Sequence, residues 1–495
     1  MATGIGAPVR RVEDRRFRTG KGHYVDDIAA PDMAFAYVVR SPHAHAKVIN
    51  LDKRAALSAP GVIDVITGAD LIAGEIGELP GAFPELPEGA RYFHPARPIL
   101  AMEFVRHVGD CIGLIIAESL DQAKDAGELL SVDYETLPAV TLVDALSGEA
   151  PRVWRNASSN LGFQLEHGDR RAVDAAFAHA AHVTKLVLHY PRVTAVTMEP
   201  RSVIAYRDHA DGRYTLCSST QMPYQLREYA SQILRIPEPE LRIIAPDVGG
   251  GFGMKCQVYP EEILVLLAAR KLGRPVKWTG ERSDVISTDT HGRHQVTEAE
   301  LALASDGRIL GLRSSVAIDL GAYLSTTAAS PPKNALMSYS STYLVPVIHV
   351  VVRGIFTNTA MMAAYRGTAK PEGSFVTERL IDKAAREMRV DPVEMRRRNL
   401  IPSSAMPHQT ASGYVYDTGE FERVLDKAIA LSDWAGFPER RAKSEQRGLR
   451  RGIGLAMHCQ RAGNQSERME IRVGRTGTVA LHVGTHSHGQ GHETV

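Results

Sequence analysis

The stretch DVGGGFGMK sets Gly249, Gly250, Gly251 and Gly253 around one large ring, Phe252. A run of residues without a β-carbon costs conformational entropy, so it is kept where backbone turns sharply or approaches another group closely. Successive backbone N–H groups in such a turn form a nest for an anion, and a following helix N-terminus adds to it. A phosphate-bearing ligand suits that chemistry; a tight turn with no ligand is the alternative that spacing leaves open. Two nucleotide motifs are excluded by counting. Lys255 is flanked by Met254 and Cys256, so G-x-x-x-x-G-K-[ST] is absent, and the third glycine of G-x-G-x-x-G would fall on Met254.

Three further stretches carry donors of the same kind. SSTQ ends on Gln221, AAYRGTAKPEG sets Arg366 between a tyrosine and a glycine, and HGQGHE sets Gln490 between Gly489 and Gly491. Amides, a guanidinium and glycine-rich backbone suit an anionic ligand with many acceptor atoms. Singly, each has a plain structural alternative: a glutamine closing a strand, or an arginine paired with a nearby carboxylate. His486, His488 and His492 crowd the last of these stretches, but zinc needs further ligands and oriented carboxylates behind them. They are read as polar surface histidines, and no metal ligand is assigned to this chain.

The elements that position these residues are legible in part. LRIIAPDV reads as a strand and PEEILVLLAARKL as a helix, opened by Pro260 and closed by Gly273, so the glycines lie at a strand-to-helix turn. A second helix is expected from Gly373 to Arg389, with Val376, Leu380, Ile381, Ala384, Ala385 and Met388 on one stripe. Asp211-Gly212 and Asp306-Gly307 between alternating runs predict hairpins. SLDQAKDAGELLSVDYE reads as helix then strand, and a last helix and hairpin are expected at FERVLDKAIAL and RMEIRVGRTGTVALHV. The class is α+β, a mixed α/β architecture.

The bulk properties exclude several functions. A chain of 495 residues exceeds one ordinary core, so two to four domains are expected. A net charge of +1 gives no electrostatic case for nucleic acid or an anionic membrane. No apolar run is long enough for a membrane span, and no export signal follows the arginine pairs of the first residues, so the chain reads as cytoplasmic. Cys111, Cys217, Cys256 and Cys459 lie far apart with no C-x-x-C, which argues against a disulfide framework or an iron–sulfur cluster.

Taken together, TMEPRSVIA, SSTQ, GGGFGMK, AAYRG and GQGHET, with an N-terminal part running GKGHYVDDIAAPDMAFAYVVRSPHAHAKVI, resemble the molybdenum-cofactor-binding large subunit of the xanthine dehydrogenase and aldehyde oxidase family. The resemblance implies a hammerhead domain over residues 18–140, a first molybdenum-cofactor domain over 150–405 and the start of a second, incomplete, over 415–495. It implies a molybdenum–pterin cofactor, molybdopterin or its cytosine dinucleotide. Gln221 would donate to a ligand of the metal, the Gly250, Gly251, Phe252 and Gly253 backbone would pass beside it, Arg366 would lie at the metal and substrate pocket, and the Gly489, Gln490, Gly491 loop would grip the pterin. Gln221 and Arg366 are thus the expected catalytic residues. The implied reaction is hydroxylation of an aldehyde or an electron-poor N-heteroaromatic carbon with oxygen from water. Electrons would leave through [2Fe–2S] clusters and FAD on a small and a medium partner subunit.

Some positions depart from the family pattern. Its general-base glutamate lies beyond Val495, so the chain is expected to be a fragment, or half of a subunit completed by a second molybdopterin chain, and inactive alone. Cys256 stands where the xanthine enzymes place a substrate-contacting glutamate, and Thr368 where they stack a ring on purine, so a purine is not the expected substrate. Gly367 stands where the copper-containing carbon monoxide dehydrogenases carry a cysteine, which argues against carbon monoxide oxidation.

Overall fold

Short β-branched runs pair across long stretches of sequence. The computed structural model describes residue 4 and residues 7–86, 92–460 and 467–495. A seven-stranded mixed sheet has the order Leu241–Ile244, Tyr214–Ser218, Ser202–Arg207, Val276–Thr279, Ala34–Arg40, Cys111–Ala117 and Val62–Thr67. Its middle is a parallel contact of Ala34 with Val276 and Phe35 with Lys277, joining a strand of the expected hammerhead stretch to one of the expected first cofactor-binding stretch. Cys111–Ala117 is buried throughout, as a strand covered on both faces must be. A three-stranded sheet, Phe104–Val105, Ala46–Asp52 and Ser131–Thr136, accompanies it.

A five-stranded sheet follows the order Leu161–Gly168, Ile348–Phe356, Ile309–Gly321, Gln295–Leu303 and His182–Tyr190. Both Asp-Gly hairpins form, with Gly212 at φ +73° and Gly307 at +85°. The mixed α+β class is observed, with helices packed on both large sheets.

Two helices do most to fix the site. Pro260–Leu272 is apolar nearly all round and lies buried on the seven-stranded sheet, with Ile263, Leu264, Val265 and Leu266 fully covered. Pro260 occupies its first turn and Gly273, at φ +65°, ends it. At its start Glu261 is held between Arg40 at 2.6 Å and Arg201 at 2.7 Å, and Arg201 also pairs with Asp289. Charges this deeply buried are tolerable only when paired. Lys370–Met388 sets Val376, Leu380, Ile381 and Ala384 against the five-stranded sheet. It begins before the expected Gly373 because Pro371 fits a first helical turn.

Near the C-terminus come the helix Phe421–Leu431 and an antiparallel hairpin, Met469–Val473 with Val479–Val483. No helix among the described residues is long and apolar enough to cross a membrane.

Candidate functional site

Each stretch singled out by its donors follows the end of a strand. Gln221 comes after Tyr214–Ser218, the glycines after Leu241–Ile244, Arg366 after Ile348–Phe356 and Gln490 after Val479–Val483. Three of the four meet directly. The Gln221 side-chain oxygen accepts from the Gly253 N–H at 2.9 Å, and its backbone N–H donates to the Lys255 carbonyl at 2.9 Å. The Arg366 backbone N–H donates to the Phe252 carbonyl at 3.0 Å, and its guanidinium carbon lies 5.7 Å from the centre of the Phe252 ring.

Glycine is required here for room as well as for conformation. A β-carbon on Gly251 would lie 2.2 Å from Gln221 Cδ, and one on Gly253 would lie 2.4 Å from the Ala364 carbonyl oxygen. Gly250 and Gly253 have φ of +99° and +92°. Phe252 is also left-handed, at φ +52°, with 41% of its surface exposed. A large residue in that region costs ~1–2 kcal/mol, and such strain collects at functional sites.

Behind the loop sits a buried ion pair. Glu199 Oε2 accepts from the Gly249 N–H at 2.7 Å and from Lys255 Nζ at 2.9 Å, while Lys255 also donates to the Glu199 carbonyl. Burial holds the Lys255 pKa below the ordinary lysine value, with Glu199 opposing the shift. Glu199 Oε1 is buried and takes no hydrogen bond among the described residues.

Arg366 stands in a tight turn closed by the Thr368 N–H on the Tyr365 carbonyl at 2.7 Å, with Gly367 at φ +95° and Thr368 at +49°. Arg293 donates to the Arg366 carbonyl and pairs with Glu372 at 2.7 Å, anchoring the turn to the helix. A β-carbon on Gly367 would lie 2.5 Å from Pro371 Cγ, so no side chain fits there without movement. Cys256 is half-buried, its N–H on the Gly253 carbonyl at 3.2 Å. Burial pushes its thiol up to about 12, so it is a thiol rather than a thiolate at neutral pH.

Gln490 is placed one step away. Its amide closes its own loop, donating to the His486 carbonyl at 3.0 Å and accepting from the His488 N–H at 2.7 Å, with Gly489 and Gly491 at φ +106° and +86°. The loop reaches the site through His488, whose Nε2 lies 3.0 Å from Gln221 Nε2. His486 and His488 therefore differ from the surface histidines expected: both are half-buried, and burial lowers both pKa values. His486 Nε2 is buried without a hydrogen bond among the described residues. No group of three or more side chains that could hold a metal ion occurs there either.

Sequence reasoning missed the contact of His488 with Gln221, the Glu199 and Lys255 pair, and the partners of Arg16. Arg16 pairs with Asp247 at the start of the glycine stretch and with Glu493 at 2.9 Å, and Arg11 donates to the Gly489 carbonyl at 3.3 Å. The N-terminal segment thus ties the glycine loop to the Gln490 loop. The doubled arginines were the available signal, but nothing local points to their partners.

The donor set fits a large, acceptor-rich anionic group: main-chain N–H groups, an amide, an exposed guanidinium, and a buried ring nitrogen of His486 that has no partner among the described residues. Comparisons with known proteins agree in kind. The family model for the molybdopterin cofactor-binding domain matches residues 153–400, and a second model so described matches 427–495. That for the a/b hammerhead domain of aldehyde oxidase and xanthine dehydrogenase matches 19–138. The chain is 33% identical to the nicotine 6-hydroxylase large subunit of Paenarthrobacter nicotinovorans, over 99% of its own length and 61% of that protein. It is also 33% identical to the carbon monoxide dehydrogenase large chain of Afipia carboxidovorans, over 99% of its length and 64% of the relative. Quinoline 2-oxidoreductase from Pseudomonas putida 86 superposes with a TM-score of 0.89 at 32% identity, covering 100% of this chain and 64% of that one. The chain therefore spans less than two thirds of these relatives.

Proposed function

Because the chain belongs to the aldehyde oxidase and xanthine dehydrogenase family of molybdopterin cofactor-binding subunits, we propose that it is the molybdenum-cofactor subunit of a hydroxylase. The observation that carries this reading is the meeting of Gln221, Phe252 and Arg366 at the glycine loop. When bound, the molybdenum–pterin group supplies the redox and oxygen-transfer chemistry. The chain's residues hold and shape it. The glycines at 251 and 253 let the loop backbone pack against Gln221 and Ala364 where β-carbons would clash, Gln221 offers an amide donor, Arg366 offers a positive charge, and the Gly489 to Gly491 loop joins the site through His488. Preorganised donors of this type stabilise developing negative charge better than mobile water does.

The substrate class we favour is an N-heteroaromatic carbon or an aldehyde. Nicotine 6-hydroxylase and quinoline 2-oxidoreductase support the first by name. Carbon monoxide is disfavoured by Gly367, where the clash with Pro371 leaves no space for a cysteine. No residue of this chain is assigned as the general base. Partner subunits carrying [2Fe–2S] clusters and FAD would take the electrons, in keeping with the relatives' names as large subunit and large chain. Four free cysteines fit a reducing, cytoplasmic setting.

Metal analysis of the complete assembly, produced in a host that makes molybdopterin, tests the proposal. Molybdenum with about four iron atoms apiece is expected from two [2Fe–2S] clusters. Zinc alone, or no metal, would overturn it. Turnover of quinoline but not of carbon monoxide is the expected substrate result.

A further inference from the structure

The amide of Gln221 has two orientations, and its neighbours choose between them. The Gly253 N–H, a donor only, lies 2.9 Å from one terminal atom, so that atom is the oxygen. The other terminal atom is then the NH2 group, and the His488 Nε2 facing it at 3.0 Å must present a lone pair. The other ring nitrogen of His488, Nδ1, has two groups beside it: the His486 carbonyl, an acceptor, and the Gln490 NH2 group, a donor, at 3.4 Å. The shorter contact, at Nε2, decides the tautomer: a lone pair there puts the proton of the neutral ring on Nδ1, towards the His486 carbonyl.

We propose that His488 is a positioning residue that locks the Gln221 amide in one orientation, leaving its second N–H as the donor offered to the bound group. The lock is a statement about this chain alone, whereas its use for the cofactor rests on the function proposed above. Gly251 is part of the device, since its missing β-carbon lets the amide lie against the loop. A proton on Nε2 would set donor against donor and release the amide. The groups facing the ring are His486 and His492 of its own loop, Lys255, Gln221 and Gln490; Asp247 faces His486 instead. With burial and cationic neighbours holding the His488 pKa below the ordinary histidine value, the lock is closed at neutral pH and opens on acidification.

Two experiments test this. In the chain as expressed, 13C-labelled histidine NMR follows the titration of each ring. Gln221→Glu replaces the NH2 group with a carboxylate oxygen, and the proton affinity of His488 should rise about tenfold, more than that of any other histidine. In the cofactor-loaded assembly, His488→Gln keeps an acceptor that does not titrate, whereas His488→Leu keeps bulk alone. The glutamine variant should exceed the leucine variant in kcat by about tenfold at pH 8 and lose the acid limb of the pH profile. An unmoved His488 titration in Gln221→Glu, or equal kcat for the two His488 variants across pH, would overturn the proposal. A shifted titration in a protein that never loads molybdenum would leave the lock standing and remove the cofactor reading.

Discussion

At residue 251 a single methyl group decides whether Gln221 can keep its place. The added carbon of Gly251→Ala would come within 2.2 Å of Gln221 Cδ, so the amide must leave the Gly253 N–H or the loop must move. Overpacking of this kind costs ~1–3 kcal/mol. We expect a modest loss of thermal stability with a much larger loss of bound molybdenum. Gly212→Ala is the control: Gly212 is left-handed, at φ +73°, where Gly251 is not, and nothing lies near its missing β-carbon. It should lose stability and keep its metal, as read by thermal melts and metal content. At this scale the sequence was informative wherever the chemistry was local. Gln221, Phe252 and Arg366 announce themselves through the company of glycines and strand ends. His488 does not, because its partner is 267 positions away and a histidine between serine and glycine carries no trace of it. Lys255 was legible only as a residue that fails the P-loop pattern, and its burial against Glu199 needs the third dimension.

Among the elements, the helix Pro260–Leu272 links the core to the site through two adjacent carboxylates of opposite character. Burial raises both, but Arg201 and Arg40 outweigh it at Glu261 and hold that group well below the carboxylate range. Glu262 has no such partner; burial carries it up to about 7, against hydrogen bonds from Ser218 at 2.6 Å and the Tyr259 N–H. Ser218 ends the strand that leads to Gln221, so this carboxyl steadies the approach to the site. The sign of the pH effect follows. A carboxyl whose folded pKa is raised contributes most below its unfolded value of 4.5, and that contribution is lost as pH rises through about 7. The full span corresponds to about 3 kcal/mol. Urea unfolding at pH 5, 6.5 and 8 should show stability falling across this window, and Glu262→Gln should flatten the fall. A wild-type curve flat from pH 5 to 8 would contradict the assignment. The helix itself was legible from Pro260 and Gly273. Its pairing with Arg40 was not, since an arginine at a strand end gives no indication of a helix more than two hundred residues on.

For the molecule as a whole, the hammerhead and cofactor-binding stretches share a sheet. Ala34–Arg40 lies between Cys111–Ala117 and Val276–Thr279, so removing either stretch would bare an edge in the middle of a core. Polar contacts cross the same divide: Arg40 with Glu261, Tyr323 with Asp110 at 3.0 Å, and the Asn358 amide on the Arg106 carbonyl at 2.9 Å. The family resemblance divides the chain between residues 140 and 150, but strand order is set by side-chain packing between distant segments and leaves no local mark. The shared sheet makes a definite expectation. A protease site placed at Gly148 and Glu149, where the chain is exposed and nothing crowds the glycine, should be cut freely. The two pieces should nevertheless travel together in gel filtration at the mass of the intact 54.0 kDa chain and melt in one transition. Arg40→Leu strips Glu261 of one of its two cations, a loss of ~3–5 kcal/mol for a buried pair, and in the cut protein it should let the pieces separate. Separation of the cut wild-type protein would mean that the sheet is not the continuous unit its strand order describes.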